Sequence, residues 1–259
     1  MEYIFYILVF IFGLSIGSFM NSWVWRTREN LGISKARSIC PNCRTQIAWH
    51  DNVPVLSFVF LKGVCRKCAS KISYQYPLVE AWCGLAFLFT ALYHNSVITL
   101  PQLSGEIVRD WIILTFLTFV FLYDLKYGEI LNFSTLLPGI ILFFFSLGLG
   151  WKSWDSMLLG AAFGAGFFLL LFLFSKGAWI GGGDVRLGFF MGIILGWPNV
   201  LIAFFIAYLT GAVLSLILIG LKKKTMKSQT AFGTYLVFGT ILAMFWGQQI
   251  LDWYIGLIT

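Results

Sequence analysis

The sequence predicts an all-α polytopic membrane protein of about eight transmembrane helices with one small extramembranous loop domain. Three observations predict it. Residues are 59% hydrophobic and only 11% charged, whereas a soluble globular domain carries about 25% charged residues. There are 27 Phe, 11 Trp and 10 Tyr, and aromatic rings collect in bilayer cores and at their interfaces. Eight apolar stretches approach the roughly 17–25 residues needed to cross a bilayer: 3–24, 77–95, 107–124, 130–149, 156–175, 184–199, 200–221 and 232–254.

The first stretch has no small-residue cleavage pattern and runs on through Asn21, Trp23 and Trp25. It reads as a retained anchor and not as a removed signal peptide. Only Trp197-Pro198-Asn199 separates the sixth and seventh stretches, which predicts a tight hairpin. A net charge of +7 could suggest a nucleic-acid partner, but the basic residues are distributed as membrane topology demands. With the N-terminus outside, 16 of the 18 Lys and Arg fall inside, Lys35, Lys224 and Lys227 among them. Arg109 and Lys152 are the two exceptions. Lys and Arg mark the cytoplasmic side, so both termini are expected outside. The expected partner is the lipid bilayer, with no nucleic acid.

The expected organisation is a first transmembrane helix (1–24), a cytoplasmic loop domain (25–76) and a bundle of the remaining helices (77–259). The loop domain carries Cys40-Pro-Asn-Cys43 and Cys65-Arg-Lys-Cys68, with 21 residues between the pairs. Two CxxC knuckles at such a distance point to tetrahedral zinc on four thiolates. A pair of disulfides is the competing reading, disfavoured in a reducing cytoplasm. Arg44, Arg66 and Lys67 are expected to lower the thiol pKa values, and so short a loop would draw much of its stability from the metal. The apolar run 53–60 is expected to pack on the bundle or dip into the interface. His50 could be a ligand but reads as a surface histidine, and Cys83, inside the second stretch, as a small apolar residue.

Acids within or beside a membrane segment are default functional candidates because they are costly there. Asp124 ends the third stretch in Phe121-Leu-Tyr-Asp124-Leu-Lys-Tyr-Gly128. Asp184 opens the sixth in Gly181-Gly-Gly183-Asp184-Val-Arg-Leu187. The charge count puts both at one depth on the cytoplasmic side. The glycines, Gly181 and Gly183 in particular, remove side chains so that a peptide backbone can approach closely. Two carboxylates at one site share a proton: the ionised one activates water, and the protonated one polarises the scissile carbonyl. The plainer alternative is that each Asp caps a helix or pairs with Lys126 or Arg186. Glu129 and Glu80 are further acids on that side. Glu2, Glu106, Asp110, Asp155 and Asp252 read as solvated charges on the outside. His94, also outside, and His50 are poorly placed to activate a Ser or Cys, and P-loop, dinucleotide and HExxH motifs are absent.

Along nearly the whole chain these motifs resemble the bacterial type IV prepilin leader peptidases, GxGD-type aspartyl proteases of the inner membrane. Gly17-Ser-Phe-Met-Asn21 with Arg26, the segment from Cys40 through Asp51-Asn-Val-Pro54 to Cys68, Tyr76-Pro-Leu-Val-Glu80, the GxGD element and Phe232-Gly233 carry the likeness. The resemblance implies that Asp124 and Asp184 are the catalytic pair. It implies a substrate that is the leader of a type IV prepilin or pseudopilin, cut on the cytoplasmic side. It also implies a second activity, N-methylation of the new N-terminal residue with S-adenosylmethionine, for which Glu80 is the candidate acid. Two departures stand out. Glu129-Ile-Leu-Asn132 lacks the family's proline, and Ala231 and Thr234 replace the prolines that flank Phe-Gly. Outside the family two readings remain: a transporter whose aspartates bind a cation or relay protons, and a zinc-bearing scaffold without chemistry.

Overall fold

The computed structural model describes residues 2–32, 37–95, 104–223 and 230–257. Lys35, Lys224 and Lys227 of the charge count lie outside them. The order of elements is α1 (Glu2–Arg28), a 3-10 turn (Trp49–Asn52), α2 (Leu56–Phe60), α3 (Gln75–Asn95), α4 (Gly105–Tyr127), α5 (Asn132–Gly148), α6 (Trp154–Ser175), α7 (Gly182–Leu195), α8 (Asn199–Gly220) and α9 (Phe232–Gly256). Two isolated β-bridges are the extended pairings among the described residues.

Each of the eight apolar stretches corresponds to a helix, and the chain is a multi-pass membrane protein. The count of eight crossings is not confirmed. Five helices are long and apolar enough to cross: α1, α3, α6, α8 and α9. At about 1.5 Å per residue, the 14 residues of α7 rise about 21 Å, short of the roughly 30 Å hydrocarbon core. The sixth stretch looked longer because it included Gly196, Trp197 and Pro198, whereas the helix stops at Leu195. α5 has 17 residues, and α4 is long enough but carries Glu106, Arg109, Asp110, Asp124 and Lys126.

Local chemistry sets the helix ends. Arg26 and Arg28 in the last turn of α1 complement its negative pole. Gly128 takes φ +66° just beyond α4, the left-handed stop that favours glycine. Gly196 takes φ +68° after α7, and the ammonium of Lys152 donates to the last carbonyls of that helix, at 3.0 Å from Ile194 O.

The chain forms two compact units, Met1–Thr115 and Phe116–Thr259, with the boundary inside α4. In the first, α1 packs on α3 through Gly13 and Gly17, where a Cβ would lie 2.6 Å from Cys83 O and 2.6 Å from Glu80 Cα respectively. Trp111 stacks on Phe87 at 5.0 Å with the rings 1° from parallel. Asp110, expected to be a solvated charge, is instead 2% exposed. Its Oδ2 lies 2.8 Å from His94 Nε2, and its Oδ1 accepts from Arg109 Nε at 2.7 Å. The pattern of α4 turns this residue inward onto α3, and a buried carboxylate persists only with such partners.

In the second unit α6 and α7 meet backbone to backbone. A Cβ at Gly160 would come within 2.6 Å of Gly192 O, and one at Gly164 would overlap Gly188 O. Glycines four apart on both helices let the axes approach closely, the usual route to association where lipid removes the hydrophobic drive. Gly239 of α9 makes the same kind of approach to Ala203 of α8. Gly188→Ala is expected to destabilise the protein by about 1–3 kcal/mol through overpacking. Gly166→Ala, at a position with nothing within 4 Å, should be neutral or slightly stabilising. Thermal unfolding in detergent checks the pair, and equal melting temperatures would refute the seam as a constraint.

Candidate active site and metal centre

The four knuckle cysteines form one cluster in the first unit, with all sulfurs within 4.8 Å of one another. Cys40 Sγ and Cys68 Sγ are 4.0 Å apart, far beyond the roughly 2.05 Å of a disulfide. Four sulfurs around zinc at about 2.3 Å each would stand about 3.8 Å apart, so the cluster fits a tetrahedral S4 ion. Zinc there would be held by Cys40, Cys43, Cys65 and Cys68 and would tie the two knuckles together.

The knuckles are two copies of one frame. Cys40 N donates to Thr45 O at 2.9 Å, and Cys65 N to Ser70 O at 2.8 Å. Arg44 N returns to Cys40 O and Ala69 N to Cys65 O, both at 2.9 Å. Arg44 and Ala69 both take positive φ, 57° and 55°. The bridges Ile39–Gln46 and Val64–Lys71 close the two frames. A hydroxyl two residues after the second cysteine reaches its sulfur in each: Thr45 Oγ1 at 2.8 Å from Cys43 Sγ, and Ser70 Oγ at 3.1 Å from Cys68 Sγ. The repeat Cys-x-x-Cys-x-Thr/Ser was legible in the sequence and was missed.

The hydrogen bond from the Ser70 hydroxyl, then its backbone amide and the Asn42 amide, pull the Cys68 thiol down to about 6. The basic residues do other work. Arg44 pairs with Glu29 at 2.9 Å and lies over the Trp25 ring. Arg66 grips Asp51 with two bonds, 2.8 and 2.7 Å, which holds that carboxyl below its usual range. His50 lies beside Asp51 at 3.7 Å, outside the sulfur cluster. In the 53–60 run Leu56, Val59 and Phe60 are exposed.

Glu80, in the first turns of α3, is buried. Its carboxylate accepts the Val55 amide at 2.7 Å and is reached by the Ser18 hydroxyl. Val55 has φ 61° and ψ −51°, and Leu56 N turns back to Pro54 O at 2.6 Å. That is a γ-turn of the strained hand, on a β-branched residue, and it costs on the order of 1–3 kcal/mol. The hydrogen bond that the Val55 amide donates to Glu80 helps to hold the turn in place.

The two candidate aspartates lie in the second unit. Asp124, 5% exposed, stands in the last turn of α4, and its Oδ2 accepts the Thr234 amide at 3.0 Å. The carboxylate therefore sits on the N-terminus of α9, where amides lack helical partners and the dipole favours negative charge. Asp184 is half-buried in the first turn of α7, and its own amide donates to Gly181 O at 3.1 Å. The side chain of Ile130 connects the two places. A Cβ on Gly183 would lie 2.9 Å from Ile130 Cβ, and one on Gly233 would lie 2.9 Å from Ile130 Cδ1 and 2.8 Å from Asp124 Oδ2. The carboxylates are close enough to interact electrostatically. Gly181 is exposed, with Asp184 Oδ2 3.9 Å from its would-be Cβ.

Helix capping, the plainer role considered for Asp124, is thus present, and a carboxylate in this place can also accept a proton from water. Arg186 is directed elsewhere, to Asn132 Oδ1 and to Ile130 O at 3.1 Å, which pins the segment between α4 and α5. Lys126 lies over the Tyr127 ring, and Glu129 is exposed. Sequence reasoning missed Ile130, the Thr234 amide and Tyr208. The Tyr208 ring lies 5.0 Å from Phe232, and its phenol is within electrostatic reach of Asp184.

Purified protein is expected to contain about one zinc per chain, measured by elemental mass spectrometry. Cys40→Ser and Cys65→Ser should each remove it while leaving the helical circular dichroism. Full zinc in the Cys65→Ser protein would overturn the four-thiolate centre.

Two family models match the chain: the bacterial peptidase A24 N-terminal domain over residues 11–94 and the type IV leader peptidase family over 111–216. Among curated proteins, a Bacillus subtilis protein named prepilin leader peptidase/N-methyltransferase is 32% identical, covering 96% of this chain and 97% of its own. Proteins of the same name from Legionella pneumophila and Pectobacterium carotovorum are 28% and 32% identical. The first covers 97% of this chain and 94% of its own, the second 90% of each. No solved structure matches. With both models in order along the chain and a relative aligned over nearly all of it, this protein belongs to the type IV leader peptidase family.

Proposed function

We propose that the chain is a membrane-embedded aspartyl endopeptidase that removes the N-terminal leader from type IV prepilins or pseudopilins. Cleavage takes place on the cytoplasmic side of the bacterial inner membrane, in the service of type IV pili or type II secretion. Asp124 and Asp184 act as the catalytic pair. The ionised carboxylate takes a proton from water as it attacks the scissile carbonyl, and the protonated partner hydrogen-bonds the carbonyl oxygen. Gly181 and Gly183 leave the approach open to a peptide backbone. The zinc loop domain, residues 25–76, positions the leader, and residues 77–259 carry the peptidase helices. The side of the membrane follows from the distribution of Lys and Arg.

The observation that supports this most is the meeting of two acids from separate helices, each at a helix N-terminus bared by glycine, on either side of Ile130. A transporter would be expected to hold its acids in broken helices at the midplane, and here both stand in the terminal turns of their helices.

The relatives are named for a methyltransferase activity as well. We extend it to this chain: N-methylation of the newly exposed residue, with S-adenosylmethionine supplying the methyl group and Glu80 belonging to that site.

Coexpression with a prepilin, with leader removal followed by mass spectrometry, tests the peptidase. Asp124→Asn keeps an oxygen to accept the Thr234 amide while removing the acid, so a loss reports chemistry and not folding. Asp124→Asn and Asp184→Asn should each slow cleavage by about 100-fold or more, with zinc content unchanged. Cleavage at the parental rate in both would sink the assignment.

A further inference from the structure

The peptidase chemistry proposed for Asp124 and Asp184 leaves the apolar run 53–60 of the first unit without a role. Sequence alone does not decide whether this run packs on the bundle or enters the membrane interface. Two helices fix its depth. Gly17 of α1 meets Glu80 of α3, and a Cβ on the glycine would lie 2.6 Å from Glu80 Cα. Each of the two residues lies 15 positions from the end of its helix remote from the loop, Glu2 and Asn95 respectively. At 1.5 Å per residue that is a rise of about 22 Å. The remote ends carry Glu2, His94 and Asn95, polar residues that belong at or beyond the hydrocarbon edge. The hydrocarbon core is roughly 30 Å thick, so Glu80 lies about 8 Å or more inside the edge on the loop side. The Val55 amide donates to Glu80 Oε2 at 2.7 Å, which keeps the start of α2 at the boundary between hydrocarbon and headgroups.

The backbone there is satisfied as such a depth requires. The amides of Leu56, Ser57 and Val59 donate to the carbonyls of Pro54, Val53 and Val55, and the Ser57 hydroxyl donates to Val53 O at 2.6 Å. Leu56, Val59 and Phe60, spaced i, i+3 and i+4, share one face of α2. All three are exposed, Phe60 by 80%. On the other side Ser57 is buried, and the Phe58 ring packs on Tyr74 at 5.4 Å. A short helix with a bare apolar edge is costly in water and at home in the interface. Cations accompany it. Lys62, Lys67 and Lys71 are exposed and, among the described residues, make no ion pair, whereas Arg44 and Arg66 are held by Glu29 and Asp51. Unpaired lysines beside a membrane are drawn to anionic lipid.

We propose that α2 is an interfacial anchor that seats the zinc loop domain in the leaflet on its own side of the membrane. Leu56, Val59 and Phe60 enter the acyl boundary, and Lys62, Lys67 and Lys71 face the phosphates of anionic phospholipids. The proposal does not depend on the peptidase reading, and its test leaves that reading untouched.

The full chain with Phe60→Cys is spin-labelled and reconstituted in bilayers that contain phosphatidylglycerol. Collisions of the label with oxygen, which concentrates in lipid, are compared with collisions with a nickel chelate, which stays in water. The unmodified chain, treated with the same label, gives the background from native cysteines, and zinc content equal to wild type shows that the loop domain is folded. The oxygen-to-nickel ratio at residue 60 should exceed that of the free label in buffer by about threefold or more. Val59→Cys, on the same face, should give the same result should the label at 60 disturb the turn. An aqueous ratio at both positions would overturn the anchor. An immobilised label that meets neither reagent would show α2 packed against protein, and would overturn it too. Protein extracted in detergent should retain phosphatidylglycerol in preference to phosphatidylcholine, measured by lipid mass spectrometry. The combined Lys62→Gln, Lys67→Gln and Lys71→Gln variant should retain about half as much or less. Equal retention would overturn the part assigned to the lysines.

Discussion

A bilayer offers no water to an unpaired amide or carbonyl, and this constraint governs the molecule. Helices satisfy their own backbones, so every long apolar stretch becomes one. What remains is how they hold together, because a lipid tail is as apolar as leucine and burial alone brings little gain. The answer here is close approach. Phe174 and Phe205 face outward, while Gly160, Gly164, Gly188 and Gly192 lie in the contact. Large side chains meet lipid, and the smallest meet each other.

The same constraint explains where polar chemistry collects. Helix interiors have no spare donors, but each N-terminus has several. Asp124 occupies the start of α9, and Asp184 lies in the first turn of α7. A carboxylate in such a place serves the fold by satisfying amides and remains a group that can exchange protons. In the loop, backbone amides and hydroxyls act likewise on sulfur, and it is Ser70, more than any neighbouring cation, that lowers the Cys68 thiol.

What could be read from the sequence was what local chemistry determines. Four cysteines in two short knuckles announce a shared ligand because spacing alone brings each pair together. Two acids among apolar residues announce themselves by their cost. The rest depends on contacts between distant segments: Thr234 is 110 residues from Asp124, and Ile130 touches the surroundings of both acids only because α7 and α9 converge on it. Asp110 was misread for a related reason. Counting charges by side treats a helix as a line, whereas burial depends on which face meets a neighbour, and α3 offers His94 there. The sixth apolar run continued past its helix, through Trp197 and Pro198, because hydropathy alone does not mark where a helix stops.

The α6–α7 seam has a mechanical meaning. Side chains at an ordinary interface can change rotamer and let one helix slide, but a glycine contact has no rotamers to exchange. Gly188 comes four residues after Asp184, just over one turn and a rise of about 6 Å along the axis. The register of backbone against backbone at Gly164 and Gly188 therefore acts as a ruler for the acid. The carboxylate stands at a height set by main chain against main chain, and the short helix that carries it is stiff by construction.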